Sequence, residues 1–111
     1  MKRRVDKDFN RINIDKIPND PGIYAFWFNH RCIYVGKTKE QSLKKRLTQH
    51  YNDCHNEELK LWIHVYGKQL KFCTLELKNE LQQKKIDTLE RKFIYRLQPV
   101  ANKQLKQPTE I

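Results

Sequence analysis

Two short apolar runs on either side of a polar tripeptide form the clearest pattern in the chain. The run GIYAFWF, residues 22–28, is followed by Asn29-His30-Arg31 and then by CIYVG, residues 32–36. Short runs of β-branched and aromatic residues that are separated by a turn are typical of a β-hairpin. The pattern therefore predicts two antiparallel strands.

The length of the turn decides which side chains of this hairpin share a face. With a three-residue turn Phe28 faces Cys32, and one face carries Tyr24, Phe26, Cys32, Tyr34 and Gly36. The two tyrosines are then diagonal neighbours within reach of each other. A two-residue turn places them on opposite faces, because side chains alternate along a strand.

Helical periodicity follows the hairpin. Thr38 and Gln41 have the spacing of a capping box, which predicts a helix from here to about Tyr51. A second helix has apolar residues at positions 59, 62, 63 and 66, with Gly67 as its expected end. Residues 1–18 show no such period, and we interpret them as a basic polar leader.

The last third of the chain predicts one more strand and one long helix. LKFCTLEL, residues 70–77, has strand character, and a helix capped by Asn79 must end near Gln98 because Pro99 cannot continue it. The predicted order is β-β-α-α-β-α, a mixed α/β class with one layer of strands covered by helices. The expected boundaries are a leader over 1–18, a domain over 19–105 and a short polar tail over 106–111.

Composition narrows the class of partner. The chain has 111 residues, which suits one domain, and its 23 Lys and Arg against 13 Asp and Glu give a formal net charge of +10. Such an excess releases counterions from a polyphosphate, so nucleic acid is the first partner to consider. A basic soluble protein and a protein of anionic membrane surfaces are the alternatives, although no apolar run approaches the roughly 20 residues of a membrane span.

The cysteines indicate a reducing compartment. Three of them, at wide spacing and without a C-x-x-C pair, predict neither a disulfide framework nor a zinc knuckle. His50, Cys54 and His55 lie close together along the chain, but a fourth metal ligand is missing nearby.

One carboxylate lies within an apolar stripe. Glu90 is four residues after Ile86 and four before Ile94, so all three share one face of the last helix. An ionised and unpaired carboxylate in a core would be prohibitively costly, so Glu90 must meet a cation, a metal ion or a cleft. A structural ion pair with Lys or Arg is one interpretation. A ligand to Mg²⁺, which typically takes one or two protein carboxylates, is the other.

Four further residues are weaker candidates when each is considered alone. Arg46 and His50 lie one turn apart on the edge of the apolar face of the first helix, where a surface arginine or a structural histidine would be ordinary. Lys37 precedes a helix N-terminus, a favourable position for phosphate. Asn102 follows Pro99 and could be a plain turn residue.

Taken in order, these short motifs resemble the signature of the GIY-YIG nuclease superfamily. They are Gly22-Ile23-Tyr24, Tyr34-Val35-Gly36-Lys37, Arg46 with His50, Glu90, and Pro99 with Asn102. The resemblance covers residues 21–102 and implies a small three-stranded antiparallel sheet flanked by helices. The second motif reads YVG rather than YIG, and Ala101 stands where relatives often have an aromatic residue.

The resemblance implies a metal-dependent endonuclease that hydrolyses DNA phosphodiester bonds at a single site. Glu90 would hold one Mg²⁺ or Mn²⁺, and Arg46 would bind the phosphoryl oxygens. Tyr24 would be the general base or position the water, with Lys37 and Arg46 lowering the pKa of its phenol. Tyr34 would hydrogen-bond the nucleophile or the phosphate.

His50 would be a proton shuttle in the same site. Gly36, Lys37, Lys45 and Asn102 would belong to its phosphate- or DNA-binding part, with Asn102 also steadying the site. The phenols would face a cleft while Ile23, Trp27, Ile33 and Val35 pack the other way.

A non-catalytic nucleic-acid-binding module of the same fold is the alternative function. The expected partner is DNA, with RNA as the second possibility and no membrane. The expected state is a monomer or homodimer, with room for a protein partner that supplies specificity. The expected location is the cytoplasm, at the nucleoid if the source is a bacterium or phage.

Overall fold

Four antiparallel strands form one sheet, with helices on both faces. The computed structural model describes residues 2–77 and 83–102. The strands are β1 (Lys2–Asp8), β2 (Gly22–Phe28), β3 (Arg31–Lys37) and β4 (Lys71–Glu76), in the spatial order β1-β4-β2-β3. The helices are α1 (Arg11–Asp15), α2 (Leu43–Asp53), α3 (Glu57–Tyr66) and α4 (Gln83–Leu97), and a 3₁₀ turn over Gly67–Gln69 follows α3.

The predicted hairpin is present, but the connection has two residues rather than three. Phe28 pairs with Arg31, not with Cys32, and Asn29 and His30 connect them with φ values of 49° and 65°. Two successive left-handed residues are typical of the tight turn whose twist matches that of the two strands. The three-residue alternative is therefore wrong.

A β-bulge nevertheless brings the two tyrosines to one face. The register shifts at Ile33, between the pair Phe26–Tyr34 and the pair Trp27–Cys32. The extra residue reverses the alternation once, which compensates for the shorter turn. As a consequence Cys32 lies on the face opposite the tyrosines, and Ile33 packs on their side, both contrary to expectation.

The sheet separates two apolar clusters. The larger contains Tyr24, Phe26 and Ile33 and is covered by α1, α2 and α3. The smaller contains Ile23 and Val35 and is covered by α4, as alternation along β2 and β3 requires. Within the described residues, none of the helices is both long and apolar enough to cross a membrane.

Residues 2–18 belong to the folded domain, which corrects two expectations at once. β1 pairs with β4 and adds the fourth strand, and Phe9, Ile14 and Ile17 are buried in the larger cluster. The polar leader and the three-stranded sheet are therefore wrong. A charged edge strand and a five-residue helix have too little apolar periodicity to be recognised, and such charges are common on edge strands.

The first long helix begins later than the capping-box spacing predicts. Ser42 caps α2, since its hydroxyl accepts a hydrogen bond from Lys45 N at 3.1 Å. Thr38 is instead buried, where its hydroxyl accepts from Gly22 N at 3.1 Å and ties the start of β2 to the end of β3. The strand predicted over 70–77 is confirmed at Lys71–Glu76. The predicted cap at Asn79 and the tail over 106–111 lie outside the described residues.

The chain after α4 covers the free edge of β3. Ala101 N donates to Ile33 O at 2.7 Å, and Val100 N donates to Cys32 O at 3.3 Å. Asn102 then bonds the backbone of Val35 through both ends of its amide group. Because an uncovered strand edge is free to pair with other chains, this segment both protects β3 and fixes its position.

Candidate active site

Three aromatic rings meet where α2 crosses the hairpin. Tyr24 projects from β2 and is 1% exposed, and its hydroxyl lies 2.6 Å from His50 Nε2 on α2. The ring of Tyr34, from β3, is centred 6.3 Å from that of Tyr24 and 5.9 Å from that of His50. Tyr34 is partly exposed. The hairpin thus brings both phenols together, as the three-residue alternative required, although by a different register.

The electrostatics of Tyr24 differ from the expectation. Burial raises the pKa of its phenol far above the usual value, and the neighbouring Tyr34 adds to this. Arg46 lowers the pKa of Tyr24, but its effect is smaller than that of burial. The cation-lowered pKa expected for Tyr24 is therefore wrong, because the cost of an unsolvated phenolate is larger than the attraction of one guanidinium.

His50 is a neutral imidazole at pH 7. Its side chain is 2% exposed, and burial, helped by the positive charges of Arg46 and His55, lowers its pKa to about 3. A neutral ring has one nitrogen that accepts and one that donates. The short contact to Tyr24 is thus a hydrogen bond between two neutral groups.

Arg46 and Glu90 both act on the two phenols. Arg46, half-buried on α2, donates to Gln49 Oε1 at 3.2 Å and lowers the pKa of both Tyr24 and Tyr34. The charge of Glu90 on α4 raises the same two pKa values. One cation and one anion from different helices therefore act on the same pair of phenols, and we refer to the site that these four side chains define as the hollow.

Glu90 is an incompletely compensated carboxylate. Its side chain is 14% exposed, and one of its oxygens, Oε1, lies 3.5 Å from Lys37 Nζ. Burial raises the pKa of Glu90, and Lys37 lowers it by less. Lys37 makes its shorter contact, 2.8 Å, with Asp87 Oδ1. Of the two interpretations from the sequence, the ion pair exists, but it does not fully offset the cost of burying the carboxylate.

The donor set fits a hard divalent cation that keeps most of its water. Among the residues described, His, Cys, Asp and Glu form no group of three that could hold a metal ion, so the candidate ligand at the hollow is the single carboxylate of Glu90. Mg²⁺ is commonly held by one or two carboxylates, with water and phosphate in its remaining positions. The same result leaves the arrangement of His50, Cys54 and His55 without a metal site.

Two residues expected in the phosphate-binding part have structural roles instead. Gly36 lies against the ring of Tyr24, since a Cβ atom on it would come within 2.3 Å of the Tyr24 Cζ and hydroxyl. Asn102 is 5% exposed, and its amide accepts from Val35 N at 2.8 Å and donates to Val35 O at 3.0 Å. Both residues are buried, and each makes a contact inside the protein that accounts for its identity. Asn102 does steady the site, since Val35 lies between Tyr34 and Gly36.

The two expected lysines lie in different places. Lys37 is at the hollow, paired with Asp87 and Glu90. Lys45 is exposed on α2, in an open groove of about 680 Å³ on the outer side of that helix, which contains neither phenol nor Glu90. Only the first of them is part of the hollow itself.

Sequence reasoning missed three contributors to the site. Asp87, three residues before Glu90 on α4, orients Lys37. Cys54 lies 3.1 Å from His50 Nδ1, and Asn56 accepts from the Cys54 thiol at 3.6 Å. The available signals were the spacing of three residues between Asp87 and Glu90 and of four residues between His50 and Cys54. Such spacings are common on helices, so they do not single out these residues until Glu90 and His50 are known to be functional.

The fold and the hollow together define a small mixed α/β domain with one candidate active site. A family model described as the GIY-YIG catalytic domain matches residues 7–61. The GIY-YIG N-terminal endonuclease domain of UvrC from Thermotoga maritima, in a structure bound to its catalytic magnesium, superposes with a TM-score of 0.63 at 26% identity over 83% of this chain and 93% of that one. The chain belongs to the GIY-YIG superfamily, a family of nucleases.

Two curated relatives are UvrABC system protein C from Fervidobacterium nodosum and from Christiangramia forsetii. The first is 36% identical over 93 residues, 84% of this chain, and the second 32% identical over 106 residues, 92% of this chain. This chain spans only 15% and 16% of their respective lengths. A mutant of bacteriophage T4 EndoII, 24% identical with a TM-score of 0.60 over 90% of both chains, shares the fold.

Proposed function

We propose that this chain is a divalent-metal-dependent endonuclease that hydrolyses DNA phosphodiester bonds at one site. The observation that carries the proposal is the packing of the partly exposed Tyr34 ring beside Tyr24 and His50, with ring centroids 6.3 Å and 5.9 Å apart. The charges of Arg46 and Glu90, from two different helices, act on the same phenol. Hydrolysis of a phosphodiester needs a positioned water, compensation of charge on the phosphate and help for the leaving oxygen. The hollow holds one group suited to each task.

Glu90 is the residue that would hold the metal ion, Mg²⁺ or Mn²⁺. Its support is a pKa raised by burial beside a lysine that contacts it only at 3.5 Å, together with the magnesium of the UvrC domain from Thermotoga maritima. When bound, such an ion would compensate charge on the phosphate and the leaving oxygen. Lys37 and Asp87 then orient the carboxylate through their ion pair.

Solvent exposure decides which of the two tyrosines can contact the attacking water. The resemblance assigns the base to Tyr24, but a phenol that is 1% exposed and bonded to His50 does not contact external water. We therefore assign the contact with the attacking water to Tyr34, which is partly exposed. Burial raises the pKa of Tyr34, and the charge of Arg46 opposes that rise. Tyr24 and His50, which are hydrogen-bonded to each other, pack beside the Tyr34 ring and fix its position.

Arg46 would bind the phosphoryl oxygens. A planar guanidinium presents donors in a fork that matches two oxygens of a phosphate. Its attachment to Gln49 at 3.2 Å holds the side chain on the hollow side of α2 without using all of its donors. This places a fixed positive charge where negative charge develops in the transition state.

DNA is the proposed partner, and the net charge of +10 supports a polyphosphate in general. RNA is distinguished by running matched DNA and RNA substrates in the same assay. With one site per chain a monomer would nick one strand of a duplex. A homodimer would be needed to cut both strands at once, and a protein partner to supply specificity. We also propose a cytoplasmic setting, nucleoid-associated in a bacterium or phage, because all three cysteines lie in the described part of the chain and none forms a disulfide.

The test is cleavage by Glu90→Gln, with Glu57→Gln as the matched control. Both changes remove one negative charge from a helix, but Glu57 is exposed on α3. Loss of metal binding should lower Mg²⁺-dependent nicking by about 10²-fold or more while DNA affinity is retained. Glu57→Gln should cut like the wild type. Full activity in Glu90→Gln would contradict the assigned metal ligand.

The alternative function, a binding module that does not cut, predicts a different result. In that case the wild type binds DNA but shows no Mg²⁺- or Mn²⁺-dependent nicking of any substrate on a panel of linear, nicked, flap and junction DNA. The same panel identifies the preferred DNA structure if cleavage occurs.

A further inference from the structure

The ring of His50 has a polar partner on each side. Nε2 lies 2.6 Å from the Tyr24 hydroxyl, and Nδ1 lies 3.1 Å from Cys54 Sγ. The thiol in turn donates to Asn56 O at 3.6 Å. Four groups from β2, α2 and the α2–α3 connection thus form one chain of hydrogen bonds. The direction of these bonds determines which nitrogen of His50 carries the proton.

The contact between Cys54 and Asn56 O fixes which group donates at that end of the hydrogen-bond series. A backbone carbonyl can only accept, so the contact with Asn56 O requires the Cys54 thiol to donate its single proton there. The sulfur is then left as an acceptor, and the proton between it and His50 belongs to Nδ1. Asn56 is itself fixed, because its side chain accepts from Leu59 N at 2.9 Å and donates to Ala101 O at 3.4 Å.

The Tyr24 end of the series favours the same direction. The buried hydroxyl of Tyr24 lies beside the guanidinium of Arg46 and 2.6 Å from Nε2 of His50. Arg46 has no acceptor, so this end favours donation of the Tyr24 proton to an unprotonated Nε2, and Cys54 adds to that preference at Nδ1. In the reversed arrangement the Tyr24 proton would point toward a cation and Asn56 O would lose its donor.

We propose that Cys54 is a positioning residue that holds His50 in the tautomer protonated on Nδ1, so that Nε2 accepts the proton of Tyr24. The relevance of this to cleavage rests on the proposed function, but the tautomer itself does not. Cys54 reaches Nδ1 because it caps the end of α2, four residues after His50, and both side chains are buried. The lowered pKa of His50 supports a neutral ring with a single proton to place.

The direct test is the protonation of the His50 ring, read from long-range proton–nitrogen NMR spectra of the full chain without DNA or metal. The wild type should carry the proton on Nδ1. Cys54→Ser should keep it there, since a hydroxyl also donates and accepts, whereas Cys54→Ala should populate the tautomer protonated on Nε2. A wild-type ring protonated on Nε2, or a Cys54→Ala ring that is unchanged, overturns the proposal.

The matched control is Cys32→Ala. Cys32 and Cys54 are each 5% exposed, but Cys32 lies in the cluster on the opposite face of the sheet. Its replacement should leave the His50 spectrum unchanged. If Cys54→Ala fails to fold, the wild-type and Cys54→Ser spectra still decide, because both must show the same protonated nitrogen.

Cleavage gives a second readout. Cys54→Ala should slow single-turnover nicking by about tenfold, a part of the roughly 10²-fold that proton-transfer groups contribute, and Cys54→Ser should restore most of the rate. Equal slowing in both variants with an unchanged tautomer would contradict the proposal. A wild type that nicks nothing would refute the proposed function, while the NMR result would still settle the role of Cys54.

Discussion

At the scale of single residues, the position of the Tyr24 ring depends on close contacts. Gly36 is the clearest case, because the ring of Tyr24 occupies the space in which a side chain on residue 36 would lie. Glycine is needed here for its size, since its φ is not in the left-handed region. The glycine of the second motif is therefore a support for the phenol of the first motif, and the two motifs act as one unit.

Gly36→Ala should destabilise the protein and displace Tyr24. Its Cβ would lie 2.3 Å from the Tyr24 Cζ and hydroxyl, and overpacking of this kind costs about 1–3 kcal/mol. The free energy of unfolding should fall by that amount in urea titrations, and nicking should fall with it. Gly67→Ala is the control, because no atom lies within 4 Å of the added Cβ, and it should change stability by less than about 1 kcal/mol. A harmless Gly36→Ala would contradict this packing.

His50 should make the stability of the protein fall in mild acid. Its pKa is about 3 in the folded protein, against an ordinary value of 6.5, so the unfolded chain takes up a proton first as the pH falls. The stability due to the neutral ring is fully present above pH 6.5 and is lost between there and pH 3. From pH 7 to pH 5 this amounts to at most about 2 kcal/mol.

The measurement is the free energy of unfolding at pH 7 and pH 5 for the wild type and His50→Gln. The wild type should lose more than the variant. Glu90 has the opposite sign, since burial raises its pKa and the folded protein binds that proton more readily, but it is present in both proteins and cancels. His64→Gln, on an exposed position of α3, is the control and should behave like the wild type. Parallel pH dependence in wild type and His50→Gln would contradict a buried neutral ring.

At the scale of elements, the position of β3 is decided from both sides. β2 holds it through the hairpin, and the segment after α4 holds its outer edge at Cys32, Ile33 and Val35. Because Tyr34 is on this strand, its place in the hollow depends on residues far away in sequence. Glu90 reaches the same hollow from α4, which packs mainly on the opposite face of the sheet.

Asn102→Ala should loosen β3. The change removes both partners of the buried Val35 backbone, and unmade buried hydrogen bonds cost about 1–3 kcal/mol. We expect a loss of stability in that range, faster hydrogen exchange of the Val35 amide and slower nicking. Asn52→Ala, at an exposed position of α2, should change stability by no more than about 0.5 kcal/mol. Unchanged exchange at Val35 in Asn102→Ala would show that the edge is held by other contacts.

At the scale of the whole molecule, the N-terminal segment completes the sheet rather than preceding it. β1 pairs with β4 over most of its length and covers what would otherwise be a free edge. Phe9, next in the chain, contacts Phe26 and Phe72 with ring centroids 4.7 Å and 5.9 Å apart. Phe9 therefore contributes to the same cluster that supports the tyrosines.

Deletion of residues 1–8 should destabilise the whole domain, because it removes a strand and exposes the edge of β4. We expect a lower midpoint of thermal unfolding and concentration-dependent association, since free edges pair with other chains. Lys7→Gln keeps the backbone of β1 and removes one exposed positive charge, so it should stay within about 0.5 kcal/mol of the wild type. A deleted protein that is as stable and monomeric as the wild type would show that β1 is dispensable.

Much of this molecule was predictable from local patterns. The hairpin strands, the strand at Lys71–Glu76 and the end of the last helix follow from alternation, periodicity and proline, which act over a few residues. The presence of Glu90 within an apolar stripe also predicted that this carboxylate needs a partner. The net charge of +10 predicted a polyanionic partner, and this charge follows from composition without any knowledge of the fold.

Contacts distant in sequence decided the rest. The amino acid order determined which residues carry chemistry, namely the paired phenols, the guanidinium and the single carboxylate. Only the tertiary structure decided which phenol meets solvent, which lysine reaches Glu90, and that Cys54 and Asn102 are structural partners of the site. The reason is physical: burial, which sets the pKa values of Tyr24 and His50, and the register set by the bulge at Ile33 both arise from elements that meet only in the folded chain.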